Sequence, residues 1–184
     1  MKLLKGIPHW PGVILVFLAA GCVPGRESIP VEGLKKEVGQ FAQVDKGLYR
    51  GAQPTEEGLR LLKKFGIKTV VSFRHEEKEI EWERQKAEAL GLRFVSLPWR
   101  IQFRPETDVM KNFLALVGKK RDGPFFFHCR RGAERTGVAD AVYRRHYQNL
   151  SKEEAWRRAT KGFRIRFYWR PFMKFRYREF VKEE

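Results

Sequence analysis

From Phe41 onward, apolar residues recur in short runs that switch between the strand period and the helix period. Phe41 to Arg50 alternates loosely and breaks at Asp45-Lys46-Gly47, which predicts a short strand pair around a turn. Pro54-Thr55-Glu56-Glu57 then opens a helix whose Leu59, Leu62 and Phe65 share one face and which Gly66 stops. Lys68 to Phe73 (KTVVSF) is a β-branched run short enough for a buried strand. A second helix is expected over Ile80 to Leu90, ending at Gly91, and Arg93 to Leu97 forms the next strand. Thr107 can cap a helix through Val117. Phe125-Phe126-Phe127 is a solidly apolar strand that delivers His128 and Cys129 at its end. A helix from Arg135 to Gln148 follows, and Ser151 caps another through Thr160, with Glu154 completing a capping box. Strands alternating with helices predict an α/β fold, a single domain with a central, mostly parallel sheet flanked by helices.

Ahead of Phe41 the pattern changes. Residues 23–40 mix Pro, Gly and charges without sustained periodicity, as a tether would. Before them, Lys2 and Lys5 precede the uncharged run Val13 to Ala20 (VILVFLAA), and small residues lead to Cys22. This is the form of an export signal. Eight apolar residues are too few to span a bilayer as a helix. The ending Leu18-Ala19-Ala20-Gly21-Cys22 resembles a bacterial lipoprotein signal, with the leucine four rather than three places before the cysteine. That resemblance implies lipidation at Cys22 and an exported, membrane-anchored protein; a plain secretory leader stays open. The expected organisation is a signal over 1–22, a linker over 23–40 and one domain over 41–184.

Composition narrows the partners. The chain's 184 residues carry 38 Lys and Arg against 22 Asp and Glu, a formal charge of +16 that favours anionic partners. Phosphorylated substrates, acidic lipid headgroups and nucleic acid all meet that description. A hydrophobic fraction of 42% supplies one core and excludes overall disorder. The two cysteines, Cys22 and Cys129, are too far apart to form a metal site by spacing.

The segment that carries chemistry is His128-Cys129-Arg130-Arg131-Gly132-Ala133-Glu134-Arg135-Thr136-Gly137. It lies between an apolar strand and a helix, so its backbone N–H groups can converge on an anion at the helix N-terminus. The same placement favours a thiolate, the reactive form of cysteine. Arg135, six residues after Cys129, can grip two phosphate oxygens as a fork. Gly132 permits a tight backbone path, Gly137 close helix packing, and Thr136 can donate a hydrogen bond to the sulfur.

This segment resembles the His-Cys-x5-Arg-Thr-Gly signature of protein tyrosine and dual-specificity phosphatases. Leu48-Tyr49-Arg50-Gly51-Ala52-Gln53-Pro54 and Gly66-Ile67-Lys68-Thr69-Val70-Val71-Ser72-Phe73-Arg74 are similar to segments of small atypical members from bacteria, plants and fungi, and the likeness spans residues 41–165. It implies a single phosphatase domain and a phosphocysteine intermediate. It also implies that Cys129 is the nucleophile, that Arg130 to Arg135 bind phosphate, and that no metal or other cofactor is needed. Substrates would be phosphotyrosine, phosphoserine or phosphothreonine in proteins, or inositol phosphates; lipid headgroups are a further alternative.

The leaving oxygen needs a proton, usually from a loop aspartate, yet Leu97 to Pro105 contains no carboxylate. Glu134, Glu106 and Asp108 are the candidates. Glu134 is favoured because myotubularin-like phosphatases resemble this loop in carrying an acid before the arginine; equally, Glu134 can simply pair with Arg130 or Arg131. Glu106 and Asp108 suit a helix start. His128 is expected to orient the loop by a hydrogen bond, and Arg50 and Arg74 to buttress it or form salt bridges.

Between Arg157 and Arg178 stand nine basic residues, seven aromatics and no acid. Such interleaving suits an anionic membrane surface or nucleic acid, or a terminal helix packing its aromatics on the core. An export signal argues against nucleic acid. A non-catalytic phosphate-binding module is the rival to an enzyme: the missing loop aspartate favours it, and the intact Cys129, Arg135 and Thr136 oppose it.

Overall fold

The computed structural model describes residues 31–101 and 108–182. The apolar runs form a five-stranded sheet in the order β1-β2-β5-β3-β4, with β1 (Ala42–Asp45) antiparallel to β2 (Leu48–Ala52). The pairs of β2 with β5 (Phe125–Cys129), β5 with β3 (Thr69–Ser72) and β3 with β4 (Arg93–Ser96) are parallel. Central parallel strands are covered on both faces, which is why Phe125 to Phe127 and Val70-Val71 are continuous apolar runs. Val70 and Phe126 pack on one side with Leu34, Leu59, Leu62 and Phe94. Val71, Phe125 and Phe127 pack on the other with Phe113, Val138 and Trp156.

The first side is covered by α1 (Val31–Glu37), α2 (Glu56–Phe65) and α3 (Glu77–Ala89), the second by α4 (Val109–Val117), α5 (Glu134–Tyr147), α6 (Lys152–Thr160) and α7 (Arg170–Phe180). Local rules end several of these helices as expected. Thr55 Oγ1 accepts from Gly58 N, and Gly66 closes α2 at φ 104°, a left-handed cap that glycine adopts without strain.

Three expectations are corrected. Part of the expected tether is structured: residues 31–37 form α1, and Leu34 and Val38 are fully buried against the sheet. Two apolar residues one turn apart were enough because the sheet offered a face to cover. The capping box at Ser151 is half made: its Oγ accepts from Glu154 N, but the Glu154 carboxylate is taken by Arg157 and Arg158. Gly137 is not required by tight packing, since an added Cβ would lie 3.6 Å from Ile165 Cδ1, an ordinary contact. The signal, with Cys22, and also Glu106 and Thr107 lie outside the described residues. Asp108 caps α4, its Oδ1 accepting from Lys111 N at 3.0 Å.

Candidate active site

β5 is the middle strand and stops at Cys129, a free cysteine 2% exposed, so the chain must turn at the carboxyl edge of the sheet before α5 can begin. The turn is held from outside by its carbonyls. Arg130 O accepts from Gln53 N at 3.4 Å, Arg131 O from Gln40 Nε2, and Gly132 O from Arg50 Nη2 at 2.8 Å. With these oxygens turned outward, the N–H groups of Arg130 to Arg135 donate to nothing among the described residues. α5 starts with Ala133 at its N-cap and no side-chain cap, so its first-turn N–H groups are unspent too. An anion-binding hollow with the positive end of a 14-residue helix behind it results.

Gly132 is what lets the loop lie this close. Its φ is +71°, and a Cβ there would come within 2.5 Å of Ala52 N and 2.6 Å of Gly51 O. No L side chain fits against that backbone.

Arg135 is 9% exposed, with Nη1 donating to Phe73 O at 2.6 Å and Trp99 O at 3.1 Å and lying 3.2 Å from His75 Nδ1. Its Nε and Nη2 make no hydrogen bond among the described residues, leaving a two-donor edge of the fork for an oxyanion. Arg50, fully buried, joins the loop to the helices: besides Gly132 O it donates to Asp140 Oδ2 and to Ala159 O, each at 2.7 Å, and stacks 3.6 Å over the Phe163 ring. Among the described residues Arg74 reaches the loop only through Gln53, whose Oε1 it meets, and its Nε holds Glu76 Oε2 at 2.8 Å. Burial raises the Glu76 carboxyl, but the bonds from Arg74 and the backbone outweigh it and bring it down to about 2.

Arg130 is exposed at the mouth, Arg131 half-buried and Ala133 buried. Glu134 is 6% exposed and is paired with neither Arg130 nor Arg131; its partner is Arg166 Nε at 3.2 Å, from a segment 32 residues away. Asp108 is spent as a helix cap. The Thr136 hydroxyl is buried and has no hydrogen-bond partner among the described residues, so the expected bond to the sulfur is not made. His128 makes no ring hydrogen bond among the described residues either. Its Nε2 is 2.8 Å from Glu83 Oε1, an ion-pair distance, and both groups are fully buried.

Gln40, Gln53, His75, Glu83 and Asp140 also build this site and went unread in the sequence. Gln40, at φ +56°, ties Arg131 O to Arg164 N. A left-handed non-glycine residue is the kind of feature that marks such a contact, but nothing local in Gly39-Gln40-Phe41 announces it. Gln53, Arg74, His75, Trp82, Arg100 and Arg130 line an open cleft of about 1300 Å³ beside the loop. Among the described residues no three His, Cys, Asp or Glu side chains stand together as a metal site.

A cysteine under inward-facing amides, with an arginine fork at the first turn of the following helix, defines the cysteine-phosphatase class of loop. The family model described as "DSP-PTPase phosphatase fused to NAD+ Kinase" matches residues 29–168, and the chain belongs to that family. Dual specificity protein phosphatase TpbA of Pseudomonas aeruginosa is 33% identical over 115 residues, 62% of this chain and 50% of TpbA. The chain thus spans about half the length of the curated TpbA it matches. The crystal structure of P. aeruginosa TpbA in complex with pTyr superposes with a TM-score of 0.54 at 29% identity, covering 64% of this chain and 69% of that one. A solved structure from Shewanella putrefaciens shares the fold at a TM-score of 0.67 and 17% identity, covering 84% and 96%.

Proposed function

We propose that the chain hydrolyses phosphate monoesters on protein phosphotyrosine, phosphoserine or phosphothreonine. Cys129 Sγ attacks phosphorus as the thiolate, forming S–P while the bond to the leaving oxygen breaks and that oxygen takes up a proton. Water then attacks the same phosphorus, S–P breaks, and phosphate leaves with the thiolate restored. The loop amides and Arg135 hold the equatorial oxygens through both steps, where their charge is concentrated. The observation that carries this reading is the outward tethering of Arg130 O, Arg131 O and Gly132 O beneath an Arg135 with two free donors. The pTyr bound to TpbA supports phosphotyrosine as one substrate.

The test is a panel of phosphopeptides, inositol phosphates, lipid phosphates and an activated aryl phosphate, with Cys129→Ser and Arg135→Ala as controls. Both variants are expected to lose turnover, with Cys129→Ser still binding phosphate. Turnover by Cys129→Ser would refute the mechanism, and binding without turnover by the wild type would make the chain a phosphate-binding module. Preference for inositol or lipid phosphates would reassign the substrate.

We propose further that the protein is exported, lipidated at Cys22, and meets its membrane through the C-terminal basic and aromatic residues. What supports the last part is a surface on which Phe167, Tyr168 and Phe175 are 85%, 57% and 54% exposed. Lys161, Arg164 and Arg170 stand exposed among them without an ion-pair partner among the described residues. Each basic residue near an anionic bilayer contributes about 1 kcal/mol.

A further inference from the structure

Nη1 of Arg135 carries two hydrogens for three acceptors, Phe73 O, Trp99 O and His75 Nδ1, so one hydrogen is shared. A guanidinium donates only. His75 Nδ1 must therefore present a lone pair, with the ring neutral and its proton on Nε2. The surroundings favour that form: burial lowers the imidazole below its ordinary value, and Arg135, Arg100 and Arg74 push the same way against Glu76. The competing anion is close, since Glu76 Oε2 lies 3.6 Å from the same Nδ1.

We propose that His75 is a positioning residue for Arg135, holding Nη1 at the outer corner of the fork so that Nε and Nη2 face the loop. The backbone acceptors fix Nη1 from the end of β3 and from Trp99 beyond β4; His75 closes the side open to the cleft. Without the ring, Nη1 faces Glu76 across that opening, and an Arg135 drawn to this carboxylate is turned from its oxyanion. The role itself rests on the phosphatase reading only for its kinetic consequence.

Two variants separate positioning from bulk. His75→Asn puts Oδ1 about where Nδ1 lies and keeps an acceptor; His75→Leu fills the space without one, and His75→Ala repeats the loss should leucine disturb the cleft. Sulfate, a dianion throughout, is titrated by calorimetry at pH 7.5 into each variant carrying Cys129→Ser, and aryl phosphate kinetics are measured with Cys129 present. His75→Leu is expected to weaken sulfate binding and raise KM by about tenfold, the scale of one hydrogen bond to a charged group, with the thermal midpoint unchanged. His75→Asn should recover to within about twofold by the same reasoning. Sulfate affinity unaltered in both His75→Leu and His75→Ala, or His75→Asn as impaired as His75→Leu, would overturn the assignment. The expected binding pattern without any aryl phosphate turnover would refute the phosphatase reading and leave the positioning role standing.

Discussion

Replacing Gly132 by alanine perturbs the loop at its tightest point, and the structure sets the size of the effect. The new Cβ would lie 2.5 Å from Ala52 N and 2.6 Å from Gly51 O, besides touching Gly51 C. Ordinary carbon contacts begin near 3.5 Å, so the loop must lift from β2 by about 1 Å. At φ +71° an L residue costs about 1–2 kcal/mol. The lift also breaks the 2.8 Å bond from Arg50 Nη2 to Gly132 O, worth about 1.5–3 kcal/mol for a charged donor. Together these give about 2.5–5 kcal/mol, and at about 2–4 °C per kcal/mol the thermal midpoint should fall by about 5–20 °C. A 1 Å displacement of catalytic groups costs about 10²-fold, so kcat/KM on an aryl phosphate should drop by that order even well below the midpoint. Scanning calorimetry and steady-state kinetics read the two effects separately. Gly137→Ala is the contrast: its Cβ meets only ordinary contacts inside α5, and the midpoint should hold or rise by a few degrees, since alanine gains about 1 kcal/mol over glycine there. A Gly132→Ala chain with wild-type midpoint and turnover would refute the close docking of the loop on β2.

Other outcomes test the remaining assignments. If Glu134 delivers the proton, Glu134→Gln should lower alkyl phosphate turnover by about 10²–10⁴-fold and spare activated aryl phosphates. Equal losses on both would mean that it serves to hold Arg166, and a leaving-group-dependent loss in Asp108→Asn would move the role to that residue. Glu76 has a folded pKa of about 2, below its ordinary 4.5, so its contribution to stability is full above pH 4.5 and lost as pH falls towards 2. Glu76→Gln should flatten the acid side of the midpoint-against-pH curve, and parallel curves would count against the Arg74 pairing. Lys161→Glu with Arg170→Glu should release a soluble chain from phosphatidylserine vesicles but not from neutral ones; unchanged binding would remove the membrane-surface proposal. Cys22→Ala should release the full protein from membranes, and mass spectrometry showing an unmodified Cys22 would end the lipoprotein reading.

The sequence by itself determined the features that depend on residues a few positions apart. Val70-Val71 and Phe125 to Phe127 became central strands because an apolar run of that length must be covered on both faces. Gly66 and Thr55 ended and began α2 by rules confined to one turn. The spacing of Cys129, Gly132 and Arg135 was legible for the same reason, since one loop and one helical turn contain it. Tertiary structure decided which polar groups meet. Arg131 O and Gln40 are 91 residues apart, and Arg135 and His75 are 60 apart; only the sheet order brings the chain before β1 and the end of β3 to the loop after β5. Glu83 gave no sign of burial among its charged neighbours in α3, and α1 gave none of docking, because each is buried by the face it packs on. Thr136 and Glu154 show the converse: a local pattern offered each a bond, and the surrounding packing or a nearby arginine withheld it. Helix caps and apolar runs are fixed locally because one turn or one run of residues contains them, whereas strand order and side-chain polar partners are chosen by whatever the finished fold brings within about 3 Å.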